Sequence, residues 1–198
     1  MPHTGRGPLD PASLPRPSTF SGVEAKLKKG NRLLFDRHSQ VLEGLVTLMD
    51  SQDRRTLVAW ALDCAQHPLQ EFEARYPSEA RPRRCLELCR DWAQGKVKMP
   101  VAKRAILDCH AVAQDLRNPE HEALCHAIAQ GASTVHVRGH ALGLPIYELT
   151  AIVIRLGGQD YQGAVQEKAD WYLERLRYWE SHVDSLGWRW APFLLKRE

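Results

Sequence analysis

The 198-residue chain is short of the features that usually name a chemistry. It lacks a charge of one sign: 27 Lys and Arg stand against 24 Asp and Glu, and the net charge is only +3, with no strongly basic half. Bulk charge therefore gives no reason to expect nucleic acid as a partner. It also lacks a long apolar run. The longest stretch free of Asp, Glu, Lys and Arg extends only from Ala123 to Val137, too short and too polar for a membrane span. The first ten residues have no apolar segment of the secretory kind, so a cytoplasmic location and no membrane partner are expected. Closely spaced cysteine pairs are missing too. Cys64, Cys85, Cys89, Cys109 and Cys125 contain no Cys-x-x-Cys, which argues against a zinc knuckle and for reduced, buried thiols. No nucleophile elbow, dinucleotide fingerprint or phosphate-binding glycine loop is found, so neither an enzyme nor a cofactor is expected.

What is present is helical periodicity. Residues 1–22 carry five prolines and read as a flexible leader, and residues 23–198 read as one helical domain. From Asn31 the residues Leu34, Val41, Leu45 and Met49 recur at helical steps, with Asp50 and Ser51 as caps for the next element. Leu57, Trp60, Ala61 and Cys64 then form a stripe expected to stop at His67-Pro68, leaving Phe72 and Tyr76 in a short connecting segment. Pro82 suits the first turn of a helix that Gly95 ends, and Ala102, Ala105, Cys109 and Val112 make an amphipathic helix after it. Asn118-Pro119-Glu120 opens a helix whose uncharged body, with small Ala127, Gly131 and Ala132, predicts a central position among close neighbours. Two further helices follow, one from Pro145 to Leu156 and a long one through Val165, Tyr172 and Trp179, and the apolar tail 188–195 is expected to pack back on the domain. The fold class expected is all-α: a helical-bundle-like domain of about six or seven helices around a buried central one.

Two constellations stand out. His136 and His140 are four apart, a spacing that puts both imidazoles on one face of the central helix, and His110 and His67 lie at the edges of their own apolar stripes. These four side chains could converge on a polar pocket for a ligand or partner, or as His110, His136 and His140 bind a metal. The hydrolytic zinc motif is nevertheless broken, because Val137 stands where Glu would act as base and Arg138 opposes a cation. The simpler reading is neutral, buried imidazoles hydrogen-bonded across helices to groups such as Asp63, Asp108 or Tyr147. The second constellation is Arg81, Arg83 and Arg84, crowded at a helix start where the backbone is already partly positive. They pair either with nearby acids (Glu71, Glu73, Glu79) or with an acidic ligand or protein surface.

The run Trp60-Ala-Leu-Asp-Cys-Ala-Gln-His67, the segment Arg81-Pro-Arg83 with Arg90-Asp-Trp92 and Gly95, and above all Thr134-Val-His136-Val-Arg-Gly-His140-Ala-Leu-Gly143 leading into Ile146-Tyr147-Glu148-Leu149 occur in order between residues 50 and 171. In this succession the chain resembles a family of small α-helical bacterial immunity proteins, associated with polymorphic toxin systems. The resemblance implies an all-helical fold and a protein that neutralises a cognate toxin by stoichiometric, non-covalent binding, with no catalysis of its own. Arg81, Arg83 and Arg84 are the candidate charged contacts. The alternative from the residues themselves is a helical metal- or small-ligand-binding protein using the histidines, or a helical interaction module. The oligomeric state is not legible in the sequence.

Overall fold

A computed structural model describes residues 19–196. The leader expectation for residues 1–18 falls outside them. Among the described residues there are nine α-helices and no strand: α1 (Ser21–Lys28), α2 (Glu43–Ser51), α3 (Arg54–Cys64), α4 (Gln66–Arg75), α5 (Arg81–Ala93), α6 (Met99–Asp115), α7 (Pro119–Ser133), α8 (Gly143–Arg155) and α9 (Gln162–His182). The all-α expectation holds, and the two additional helices are α1 and α4.

Helix α7 is central, as its composition predicts. It touches α3, α4, α5, α6 and α8, and nine of its residues from Ala123 to Ser133 are buried. Its start is set by Asn118, whose side-chain oxygen accepts from the His121 amide at 3.1 Å, and by Pro119, which has no amide to leave unpaired. Small side chains let the neighbours come close. A Cβ on Gly131 would lie 2.8 Å from the Ala65 Cβ and 3.2 Å from the Ala61 carbonyl oxygen, so only glycine fits where α3 crosses α7. Helix α9 closes the opposite side against α2, α3 and α8. There Trp60 is fully buried, its indole N–H donating to the Tyr172 carbonyl at 3.0 Å and its ring lying 5.6 Å from the Tyr172 ring.

Four local expectations are corrected. The stripe of α3 does end at Cys64, but His67-Pro68 does not open a loop; Pro68 sits in the first turn of α4, where a missing N–H costs nothing, and Phe72 is buried on that helix. The helix expected from Asn31 begins only at Glu43. Asp36 and Ser39 bond neighbouring amides (His38 N–H to Asp36 at 2.8 Å, Asp36 N–H to Ser39 at 2.9 Å), and these local bonds compete with helix formation. Leu34 and Phe35 reach the core from this irregular segment. The N-cap of α3 is Asp53, which accepts from the Thr56 amide at 2.8 Å, rather than Asp50 or Ser51. Finally, α7 stops at Ser133, so His136 and His140 are not on the central helix: His136 lies in the turn that follows and His140 in a 3-10 segment, Arg138–Leu142.

The tail folds back as expected, with the Ala191 amide on the Ala93 carbonyl at 2.8 Å and Phe193 against Trp92. All five cysteines are free thiols and buried. Among the described residues no helix is long and apolar enough to cross a membrane.

Candidate functional site

The turn between α7 and α8 carries the two histidines, and arginines shape it. Arg54 donates to the carbonyls of Val135 (3.2 Å) and His136 (2.8 Å), and Arg138 donates to those of Met49 (2.7 Å) and Asp50 (2.8 Å). Carbonyls left open where α7 and α2 end are thereby satisfied by guanidinium groups. His136 is exposed and lies beside Trp92, with ring centres 5.9 Å apart. His140 is half-buried, with its Nδ1 2.7 Å from the Gln130 side-chain oxygen. Neither bonds Asp63, Asp108 or Tyr147; Asp63 instead takes Arg175 and the Trp179 indole, at 2.9 and 2.8 Å.

His110 meets a residue that periodicity did not single out. Its Nδ1 lies 2.9 Å from Nδ1 of His126, and His126 packs on Tyr147 at 5.0 Å between ring centres. One ring must donate and the other accept, so the pair is made with at least one neutral imidazole. Burial pushes both imidazoles below their ordinary value of 6.5; His126 adds to the effect on His110, and Arg32 adds to that on His126. A depressed native value means that the unfolded chain takes up protons first. The pair's contribution is therefore intact above about pH 6.5 and is lost as the pH falls through the lower native values. Urea unfolding at several pH values is expected to show a loss of stability below pH 6.5, and His126→Asn is expected to flatten that limb without changing the carboxylate-driven loss at lower pH.

His67 has the most consequential surroundings. Its Nδ1 lies 2.9 Å from Oε1 of Glu148, a carboxylate only 1% exposed, whose Oε1 also takes the Lys168 ammonium at 2.9 Å and whose Oε2 accepts from the Tyr172 hydroxyl. Burial alone would raise the Glu148 carboxyl. The His67 bond, the Lys168 charge and the Tyr172 hydroxyl outweigh it and hold the group below the ordinary carboxylate range. The same burial and the Glu148 charge push the Tyr172 phenol far up. Lys168 also lies 4.1 Å over the Trp171 ring, which shields the pair from water.

The four histidines do not form one metal-holding set, although His140 is near enough to His110, and His136 to His140, for their charges to interact. Among the described residues the only set of three or more donor groups close enough to hold a metal ion is His67, Glu71 and Glu148, within 4.8 Å of one another. His110, His136 and His140 do not form such a set. At the His67 set, Lys168 already occupies the Glu148 oxygen that a cation would need, so the arrangement works as a buried ion-pair network. In the sequence Glu148 stood out only as part of the motif Ile146-Tyr147-Glu148-Leu149 and Tyr172 only as a stripe residue, while Lys168 carried no signal, because an acid on an apolar helix face reveals its role only once its partners are known.

The three arginines sit at the start of α5. Arg81 pairs with Glu79 (2.6 Å) and Asp115 (2.9 Å), which raises its pKa further above its ordinary value, and Arg83 pairs with Glu73. Glu71 goes instead to Arg155 at 2.8 Å. Arg84 is exposed and has no carboxylate within ion-pair distance among the described residues.

The ordered motifs thus fall on α3 and the start of α4, on α5, on the arginine-held turn and on α8. A family model described as "Imm-5 like putative immunity protein" matches residues 47–177. The chain belongs to that family. The match runs from α2 into α9 and includes every residue of the Glu148 network. Neither a curated protein nor a solved structure matches the chain.

Proposed function

We propose that this member of the Imm-5 like family is a cytoplasmic bacterial protein that neutralises a cognate toxin by stoichiometric, non-covalent binding rather than by catalysis. Membership over residues 47–177 is the observation that carries the reading. The histidines lend it support from another side: His67, His110 and His140 spend ring nitrogens on Glu148, His126 and Gln130, so they serve packing between elements and leave recognition to the surface. Exposed charge at the start of α5 suits that role, since complementary potentials accelerate encounter between a protein and its partner. Co-expression with toxin domains encoded beside its gene is expected to restore growth, and light scattering on the purified mixture is expected to give a one-to-one complex. If no neighbouring toxin is neutralised and none forms a complex, the reading fails.

A further inference from the structure

The surface between α5 and α6 has a composition that specifies the partner's chemistry. A groove of about 500 Å³ lies there, lined by Leu88, Val101 and Ala105 and by Arg81, Arg84 and Arg104, with Asp108 the one carboxylate among the described residues of its lining. Arg104 reaches Asp108 at 3.0 Å and Arg81 is held by Glu79 and Asp115, while Arg84 has no carboxylate at ion-pair distance among the described residues. Helix α6 also turns large apolar side chains outward. Met99, Val101 and Leu107 are 42%, 46% and 53% exposed, three of the seven large hydrophobic residues exposed among those described. Of these three, Val101 lines the groove, while Met99 and Leu107 lie outside its lining. A net charge of +3 for the whole chain does not show where its cations sit, and Glu87, Asp91, Asp108 and Asp115 on these same two helices offset part of this positive charge.

Cations beside an apolar lining are complementary to one kind of surface: carboxylates flanking aliphatic side chains. We propose that the α5–α6 groove docks an acidic amphipathic helix of the toxin, its Asp or Glu side chains meeting Arg84 and Arg104 and its aliphatic side chains seated on Leu88 and Val101. This rests on the immunity reading and adds the face and the chemistry of the partner. A nucleic acid would use the guanidinium groups but leave the apolar lining wet, and among the described residues no aromatic side chain lines the groove to stack a base.

The test titrates an inactive form of the neutralised toxin against the full chain by calorimetry. Arg84→Glu combined with Arg104→Glu is expected to weaken binding at least about tenfold and to remove much of its salt dependence. Val101→Asp is expected to weaken it comparably, while Arg177→Glu, at an exposed position of α9, leaves it within about twofold. Circular dichroism melts check that each variant is folded. Wild-type affinity in both groove variants overturns the groove and leaves toxin binding standing. If no toxin complex forms at all, a fluorescent amphipathic peptide repeating Glu and Leu at helical spacing and a short DNA duplex decide the matter. Peptide binding that is lost in the groove variants upholds the groove; no peptide binding, or preference for the duplex, overturns it.

Discussion

Glu148→Ala is expected to destabilise the protein by about 3 to 5 kcal/mol, which for a chain of this size lowers the melting temperature by roughly 6 to 20 °C. The carboxylate is fully enclosed and bonded to His67, Lys168 and Tyr172, so its removal does more than delete favourable contacts. Lys168, itself only 9% exposed, is left as a buried ammonium with no carboxylate beside it. The penalty belongs to that orphaned charge more than to the pair. A second measurement separates the two: Glu148→Gln with Lys168→Met removes both charges, and its unfolding free energy is expected to lie closer to wild type than that of Glu148→Ala. Equal destabilisation in both variants would show that Lys168 escapes to solvent when Glu148 is gone.

The same carboxylate gives an acid limb. Its native value lies below the ordinary 4.5, so its stabilisation is present above that value and is lost as the pH falls below it. This limb is separate from the imidazole limb, which begins near pH 6.5.

Trp60→Ala is the other change with a large expected effect, about 3 to 5 kcal/mol by equilibrium urea unfolding. The indole is fully buried where α3 meets α9, and truncation opens a cavity between the two helices. Trp60→Phe keeps an aromatic ring against Tyr172 and loses the bond to the Tyr172 carbonyl, so it is expected to cost less, about 1 to 2 kcal/mol. Because Trp60 and Glu148 both brace Tyr172, one at its backbone and ring and the other at its hydroxyl, the two alanine changes share a partner. The double variant is expected to deviate from additivity by about 0.5 kcal/mol or more. Strict additivity would mean that Tyr172 does not couple them.

Helix boundaries set by chemistry within a few residues were legible in the chain. Asn118-Pro119 starts α7 through a side-chain cap and a missing amide, Gly95 and Gly157-Gly158 end α5 and α8 at positive φ, and Val165 to Trp179 places the buried face of α9 by spacing alone. The β-branched run Ile152-Val153-Ile154 would by propensity also suit a buried strand, yet it lies within α8, and among the described residues no strand exists to pair with it. Where two local rules competed, spacing was a weaker guide. Pro68 reads as a stop but is equally at home in a first turn, and the His136/His140 spacing fits a helix until Ser133 and Thr134 back-bond to Ala129 and Gln130 and the turn's carbonyls go to Arg54.

The candidate site divides along the same line. The sequence by itself determined an all-helical chain with a small-residue central helix and three arginines at a helix start, because caps, prolines and amphipathic stripes act over one or two turns. Only the tertiary structure decided that His67 finds Glu148, that His110 finds His126 and that α6 brings Val101 and Ala105 into one groove with Arg84 and Arg104. Those partners stand on different helices, His67 and Glu148 at a sequence separation of 81 and His110 and His126 at one of 16. What brings them together is the burial of whole helix faces around α7, a property of the packed assembly that no local spacing encodes.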